Sequence, residues 1–407
     1  MWRTIGPALL FSGTAIGTSH LVQSTRAGAL YGLALFVVIL AACILRYPAF
    51  RFGVDYGHSA RRSLIAGYRE LGVWAPVLFA VFALPIMIII YAALSMATAG
   101  IAIAVLGGTM SVPWTAFAVL AICSALLMAG GYDWLDKINR VLVAFLVVST
   151  LIVTALVLPM VDWSTLGSTA WTADPKAILF IGALGGFMPN ALDVSVASSM
   201  WQAEAERDED THAHTSLKDA RLAFLAGYAL TAFLALCFCI IGAGVMNANG
   251  VMPETSAPGF ARQIISLYSS TLGDGAAVVA AIAALSIMLT TVLAAVDIGG
   301  RFVASLWQQA SGRETESEFK WVYRIALPTA TLASGAILAF LPGSFTALLD
   351  LATSASFVFA PIVATLNHLV VTRCAMDEEA RPSSVIRWLN IIAIGLMASL
   401  AVAYFSL

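Results

Sequence analysis

The sequence predicts an all-α polytopic membrane protein, and three observations carry that prediction. Hydrophobic residues make up 60% of the chain and charged residues 11%, against about 45–50% and about 25% in soluble domains. The apolar residues gather in runs of roughly twenty or more, the length a helix needs to cross ~30 Å of hydrocarbon. Such runs are too long for barrel strands, and lipid offers the backbone no outside partner, so helices are the solution that remains. Soluble-enzyme, disordered, collagen-like and coiled-coil classes fail on sparse charge and on the lack of a three-residue or heptad period. A formal net charge of -2 with no basic stripe excludes nucleic acid as a partner.

Eleven apolar runs follow one another, near residues 5–26, 31–50, 74–106, 112–130, 138–160, 177–201, 220–247, 275–308, 322–341, 345–371 and 385–405. The first continues from Ile5 without the short apolar core and small-residue exit of a signal peptide, so it reads as a span. The second leads into residues 54–72, where Arg61, Arg62 and Arg69 beside Leu64, Ile65 and Tyr68 suggest a short interfacial helix or a plain connector. Most other connections are short and carry Gly, Pro, Ser or charge, as at Gly107-Gly108, Asp133 to Arg140 and Pro342-Gly343, which makes successive helices antiparallel neighbours. The most charged stretch, Gln202 to Ser216, contains His212 and His214 and reads as a solvated acidic loop in preference to a metal collector. Cys43, Cys123, Cys237, Cys239 and Cys374 are an odd number without metal-knuckle spacing, so neither disulfides nor zinc is expected. No nucleophile elbow, phosphate loop or paired catalytic carboxylates mark an enzyme, and no cofactor is expected.

With the N-terminus in the cytosol, inward-facing ends and loops hold eighteen Lys and Arg residues, Arg46 among them, and the outward side only Arg26, Lys176 and Arg262. That bias predicts a multi-pass protein of a bacterial-type inner membrane, N-terminus cytosolic and, after eleven crossings, C-terminus outside.

Two spans are interrupted near mid-membrane. The first contains Ser12-Gly13-Thr14-Ala15-Ile16-Gly17-Thr18-Ser19-His20, which joins helix-weakening Gly to side chains that compete for backbone hydrogen bonds. The sixth contains Gly182-Ala183-Leu184-Gly185-Gly186-Phe187-Met188-Pro189-Asn190, where Pro removes a hydrogen bond and clashes with the preceding turn. Gly17 and Gly186 are 169 residues apart, and twice that distance plus one terminal span nearly exhausts the chain. This is the arithmetic of two five-helix repeats, 1–160 and 161–374, with an additional helix over 375–407. Broken helices at matching places point to a secondary carrier's substrate site; the competing account is that small residues permit close packing. Asp193 lies within the sixth span, where a carboxylate is costly and therefore a functional candidate, with capping by Ser195 as the alternative. Asp297 and Arg301, four apart on the eighth span, are expected to pair.

The opening Gly6-Pro7-Ala8-Leu9-Leu10, the Ala27-Gly28-Ala29-Leu30-Tyr31-Gly32 after the first break, Met188-Pro189 and Ala360-Pro361 resemble the NRAMP metal-ion transporters. The resemblance runs over essentially the whole chain and is closer to their divergent bacterial relatives. It implies the LeuT-type fold of the amino acid–polyamine–cation superfamily and transport by alternating access, coupled to H⁺ or Na⁺. NRAMP proteins carry Asp-Pro-Gly-Asn in the first break, and the matching residues here are Gly17, Thr18, Ser19 and His20. Their Met-Pro-His in the sixth span stands here as Met188-Pro189-Asn190, so the resemblance carries over the Met188 thioether and the carbonyl of Gly185. His20 as neutral imidazole and Asp193 as the missing charge complete an expected metal set of His20, Gly185, Met188 and Asp193. Thr290 and Thr291 resemble the hydroxyl pair that holds Na⁺ in many LeuT-fold carriers, and with Asp297 they are the coupling-ion candidates. Span three, which bears acidic proton-coupling residues in the family, has no charged residue from Trp74 to Leu106.

Two substrates fit these residues. The leading expectation is a divalent metal cation, Mn²⁺-like. The alternative is a small organic solute such as an amino acid or amine, because Gly13-Thr14-Ala15-Ile16-Gly17-Thr18 resembles the glycine-rich loop that holds a carboxylate on backbone N–H groups. Asp193 would then face an amine. Across both, the substrate-contact set is Gly13, Thr14, Gly17, His20, Gly185, Gly186, Met188, Asn190 and Asp193, and the working unit is a monomer in a lipid bilayer.

Overall fold

Lipid-length apolar runs become helices whose ends fall where caps and breakers stand. A computed structural model describes residues 11, 16–107, 110–130, 133–207, 216–272, 274–313, 315–340 and 344–406. Gly6 to Leu10, Gly13, Thr14, His212 and His214 lie outside the described residues. The helices are α1 (Thr25–Tyr31), α2 (Phe36–Ala60), α3 (Leu64–Leu71), α4 (Trp74–Leu106), α5 (Val112–Ala129), α6 (Asp133–Val157) and α7 (Pro175–Gly186), then α8 (Val194–Arg207), α9 (Leu217–Ile241), α10 (Ala257–Leu272), α11 (Asp274–Ser311), α12 (Glu316–Phe340), α13 (Phe345–Arg373) and α14 (Ser384–Ser406). Among the described residues, eight helical segments are long and apolar enough to cross a membrane, and α6 and α7 add shorter apolar stretches.

Local chemistry sets the boundaries. Asp174 accepts from Lys176 N at 3.0 Å and Pro175 opens α7, a cap followed by a residue with no N–H to lose. Ser63, Ser216 and Ser344 cap α3, α9 and α13 in the same way. α7 ends at Gly186, and helix resumes only at Val194, so the sixth span is two half-helices joined by Phe187 to Asp193. The first break shows as a bend at Ile16 and Gly17, followed by a π-helical stretch, Ser19–Ser24, that runs into α1.

Each half-helix is held against a continuous one. α8 lies so close to α2 that a Cβ on Gly53 or Gly57 would overlap the carbonyl oxygens of Ser195 and Ser199; small residues are what let two helices approach this way in lipid. α1 packs in the same manner on α9 and its continuation Gly242–Met246. Aromatic rings fill the centre, with Phe11 5.4 Å from Phe50 and 5.1 Å from Phe224. Large apolar side chains such as Val81, Trp114, Ile122, Phe340 and Leu400 point outward, as a lipid-facing surface requires.

Three features differ from the sequence expectation. Residues 54–60 continue α2, so the short helix expected over 54–72 is confined to α3, whose Leu64, Ile65 and Tyr68 are fully buried because its apolar face packs into the bundle, with Arg61 and Arg69 exposed. α10 falls between the seventh and eighth apolar runs. Its Phe260, Ala261, Ile264 and Leu267 are buried while Arg262 and Ser266 are exposed, a mixed pattern that no apolar-run reading detects. Arg46, counted with the inward-facing charges, is enclosed within the protein.

Candidate functional site

The two breaks meet at a small cavity of about 50 Å³, lined on its other sides by α4 and α11. By the same measure one water needs about 10–15 Å³, so the space suits three to five waters or an ion with part of its shell. Its polar lining is supplied by Thr18 and Ser19 from the first break, Asn190 and Asp193 from the second, Tyr91 from α4 and Thr291 from α11. Every side-chain donor atom in that set is oxygen, apart from the amide nitrogen of Asn190. Met87, Ile90, Leu94, Phe187 and Ile298 complete the wall.

Asp193 precedes the first turn of α8, where the Val196 N–H bonds its carbonyl at 2.8 Å. Its carboxylate therefore stands at the positive end of a helix. It is 8% exposed and, among the described residues, has no ion-pair partner. Thr291 donates its hydroxyl to Ile287 O at 2.8 Å, which leaves the oxygen lone pairs for the cavity. Gly17 lies against this threonine, whose side chain leaves no room for a Cβ.

The structure redirects several residues singled out above. His20 does not line the cavity: Nδ1 meets Ser19 Oγ at 2.7 Å and Nε2 meets Thr231 O on α9 at 2.7 Å, so both ring nitrogens are engaged. Met188 is fully buried in a separate apolar cluster with Leu35, Ile39, Cys43 and Phe180, its sulfur 3.7 Å from Ser24 Oγ. The Gly185 carbonyl accepts from Arg46 Nη1 at 2.6 Å, and Gly186 is pressed against the Thr353 carbonyl on α13. Thr290 donates to Ser286 O and Ile287 O and lies outside the lining. Asp297 pairs with Arg301 at 2.8 Å and also accepts from Tyr323 Oη at 2.6 Å, away from the cavity, while Arg301 reaches Glu204 on α8. Asn190, Asp193 and Thr291 are the side chains named from the sequence that the cavity gathers.

Thr18 and Ser19, which stand at the NRAMP metal motif in the sequence but are not among its expected ligands, also line the cavity with Tyr91, and Arg26, an outward-side charge by sequence, is buried. Arg26 of α1 forms a two-pronged bond with Asp350 of α13, at 2.6 and 3.0 Å, and lies 5.1 Å over the Phe180 ring. A lone Asp in a span was the available signal for that pair.

Half-helices meeting at a small, mostly apolar cavity with a few convergent polar groups, inside a bundle of lipid-length helices, define a multi-pass membrane transporter with a LeuT-like fold. The manganese transporter of Eremococcus coleocola has this fold: it superposes at a TM-score of 0.74 with 11% identity, over 98% of this chain and 85% of that one. MhsT in complex with L-phenylalanine matches at 0.70 with 14% identity, over 98% and 97%. An uncharacterized protein of Pasteurella multocida is 29% identical over 415 residues, 99% of this chain and 92% of the relative. Residues 8–406 match the family described as natural resistance-associated macrophage protein-like, and the chain belongs to that family.

Proposed function

We propose that this chain carries a hard divalent cation, Mn²⁺-like, across a bacterial inner membrane, with Asp193 as its single charged ligand. The observation that carries this reading is a buried carboxylate with no ion-pair partner among the described residues, facing an ion-sized cavity between two helix breaks. Oxygen donors suit Mn²⁺ and Mg²⁺ better than soft metals. The Thr18, Ser19 and Thr291 hydroxyls and the Asn190 carbonyl oxygen supply them beside Asp193, in place of His20, Gly185 and Met188. Membership of the NRAMP-like family supports the metal reading.

In the cycle we infer, two five-helix halves, 1–160 and 161–374, rock around the site to expose it to each side in turn. The chain crosses the bilayer eleven times with a cytosolic N-terminus, and an inward gradient of H⁺ or Na⁺ drives the cation inward, the direction that NRAMP-like membership implies. The test is Mn²⁺ uptake into liposomes holding the purified protein, followed by quenching of an enclosed dye. Uptake well above empty liposomes that is abolished by Asp193→Asn supports the reading. Folded protein with no uptake of Mn²⁺ or Mg²⁺, but with uptake of amino acids or amines, overturns it.

A further inference from the structure

The last carbonyls of a helix carry the negative end of its dipole and have no partner within the helix. At the end of α7 two of them, with the Met188 carbonyl just beyond the helix, converge on one atom. Arg46 Nη1, from α2, donates to Gly185 O at 2.6 Å, Met188 O at 2.8 Å and Gly186 O at 3.3 Å, and Nη2 reaches Gly186 O at 3.4 Å. Arg46 is 2% exposed. Among the described residues no carboxylate lies within ion-pair distance of it, and its Nε has no hydrogen-bond partner. A buried guanidinium without a counter-ion is costly, and here the compensating groups are the three carbonyls and the Phe50 ring, 5.8 Å away. Oxygens closing on one nitrogen from three residues form the kind of cage in which unwound carbonyls hold a free cation.

We propose that Arg46 is the resident cation of this break: its guanidinium permanently fills a carbonyl cage that would otherwise take a free cation, and so confines the cargo to the Asp193 side of the gap. Arg46 is in this account a positioning residue that sets specificity without touching the cargo. Two consequences follow. The Gly185 and Met188 carbonyls are withheld from a transported ion, which makes Asp193 and the hydroxyls the whole ligand set. The fixed positive charge also offsets Asp193 when the site is empty, so the interior carries no net charge from this pair.

The cage itself is tested without transport. Purified full-length wild type, Arg46→Ala, Arg46→Lys and Arg46→Met are unfolded thermally with low concentrations of guanidinium, Na⁺, K⁺ or choline at equal ionic strength. For Arg46→Ala, guanidinium is expected to give a saturable rise of about 2–3 °C over choline, and for wild type none. Cation uptake by Arg46→Ala should fall by roughly tenfold or more and recover at least about threefold with guanidinium, while Arg46→Lys stays within about threefold of wild type. A folded Arg46→Ala that responds to no cation beyond choline overturns the proposal. If Arg46→Ala does not fold, the comparison passes to the longer side chains: a folded, active Arg46→Lys with a failed Arg46→Met supports a resident cation, and an Arg46→Met as active as Arg46→Lys overturns it. The consequence for cargo rests on the cation-carrier reading. The unfolding result does not, so a stabilised Arg46→Ala in a protein that moves no metal would retain the cage and reject only that reading.

Discussion

The buried amide of Asn367 shows how the site is held and can be broken one bond at a time. Its Oδ1 accepts from Tyr68 Oη at 2.5 Å, and its Nδ2 donates to Ala49 O at 3.1 Å and to Ser195 Oγ at 2.8 Å. One side chain thus ties α13 to α3, α2 and the first turn of α8, two residues beyond Asp193. Asn367 and Tyr68 are both fully enclosed, so bulk water cannot take over a lost bond. Tyr68→Phe leaves Oδ1 without its donor, at a cost of about 1–3 kcal/mol. Asn367→Leu strands the Tyr68 hydroxyl, at about 1–3 kcal/mol, and gives up two Nδ2 bonds of ~0.5–1.5 kcal/mol each, about 2–6 kcal/mol in all. The double substitution strands neither partner, so its cost should fall short of the two single costs combined by about 1–3 kcal/mol. Equilibrium unfolding of the four proteins in mixed micelles, read by tryptophan fluorescence, measures that coupling. Additivity within about 0.5 kcal/mol would refute the claim that these groups depend on each other.

Other substitutions probe separate joints. Gly53→Val should prevent recovery of folded protein, because its Cβ would overlap the Ser195 carbonyl, whereas Gly395→Ala, with nothing within 4 Å, should leave yield and melting unchanged or slightly improved. Arg26→Gln or Asp350→Asn alone should each lower stability by about 1–2 kcal/mol, discounted because the Asp350 side chain is 35% exposed, and the pair together should cost less than both combined. Equal, additive losses in that cycle would show that the pair contributes nothing as a pair. Burial and the neighbouring Glu70 push the Cys374 thiol up to about 11. Folding therefore holds this proton: the contribution is present below the ordinary value of about 8.5 and is lost as pH rises from there through about 11. Maleimide labelling of Cys374 at pH 8, in protein with the other four cysteines replaced, should be much slower native than SDS-unfolded, and equal rates would contradict the burial.

Much of the architecture was legible because lipid simplifies the code. The lengths of the apolar runs report hydrocarbon thickness, and Pro189 and the Gly-rich stretches mark where a helix must stop. α10 escaped because a half-buried helix alternates Phe260, Ile264 and Leu267 with Arg262 and Ser266 and so never forms an apolar run. The site was legible as a place more than as a ligand set. Asp193 stood out because a carboxylate in a span demands a reason. His20 and Met188 were chosen by residue type, yet the side of the helix on which each falls depends on how α1, α2 and α9 pack, and that packing turns His20 to the Thr231 carbonyl and Met188 to the cluster around Cys43. By sequence Arg46 is one more cytosolic charge. Its role becomes visible only when residue 46 is brought against the carbonyls of residues 185 to 188, about 140 positions away along the chain.

The central claim is that Asp193 and its oxygen neighbours bind a hard divalent cation. The direct measurement is Mn²⁺ binding to the purified protein by electron paramagnetic resonance of the free ion, for wild type and Asp193→Asn, with circular dichroism confirming that both are folded. The account predicts one saturable site in wild type that is weakened at least about 30-fold, ~2 kcal/mol, in Asp193→Asn, a modest part of the Coulomb energy between a divalent ion and a contacting carboxylate at an effective dielectric of about 20. Folded wild type that binds no Mn²⁺, or an Asp193→Asn protein that binds it as tightly as wild type, would contradict it.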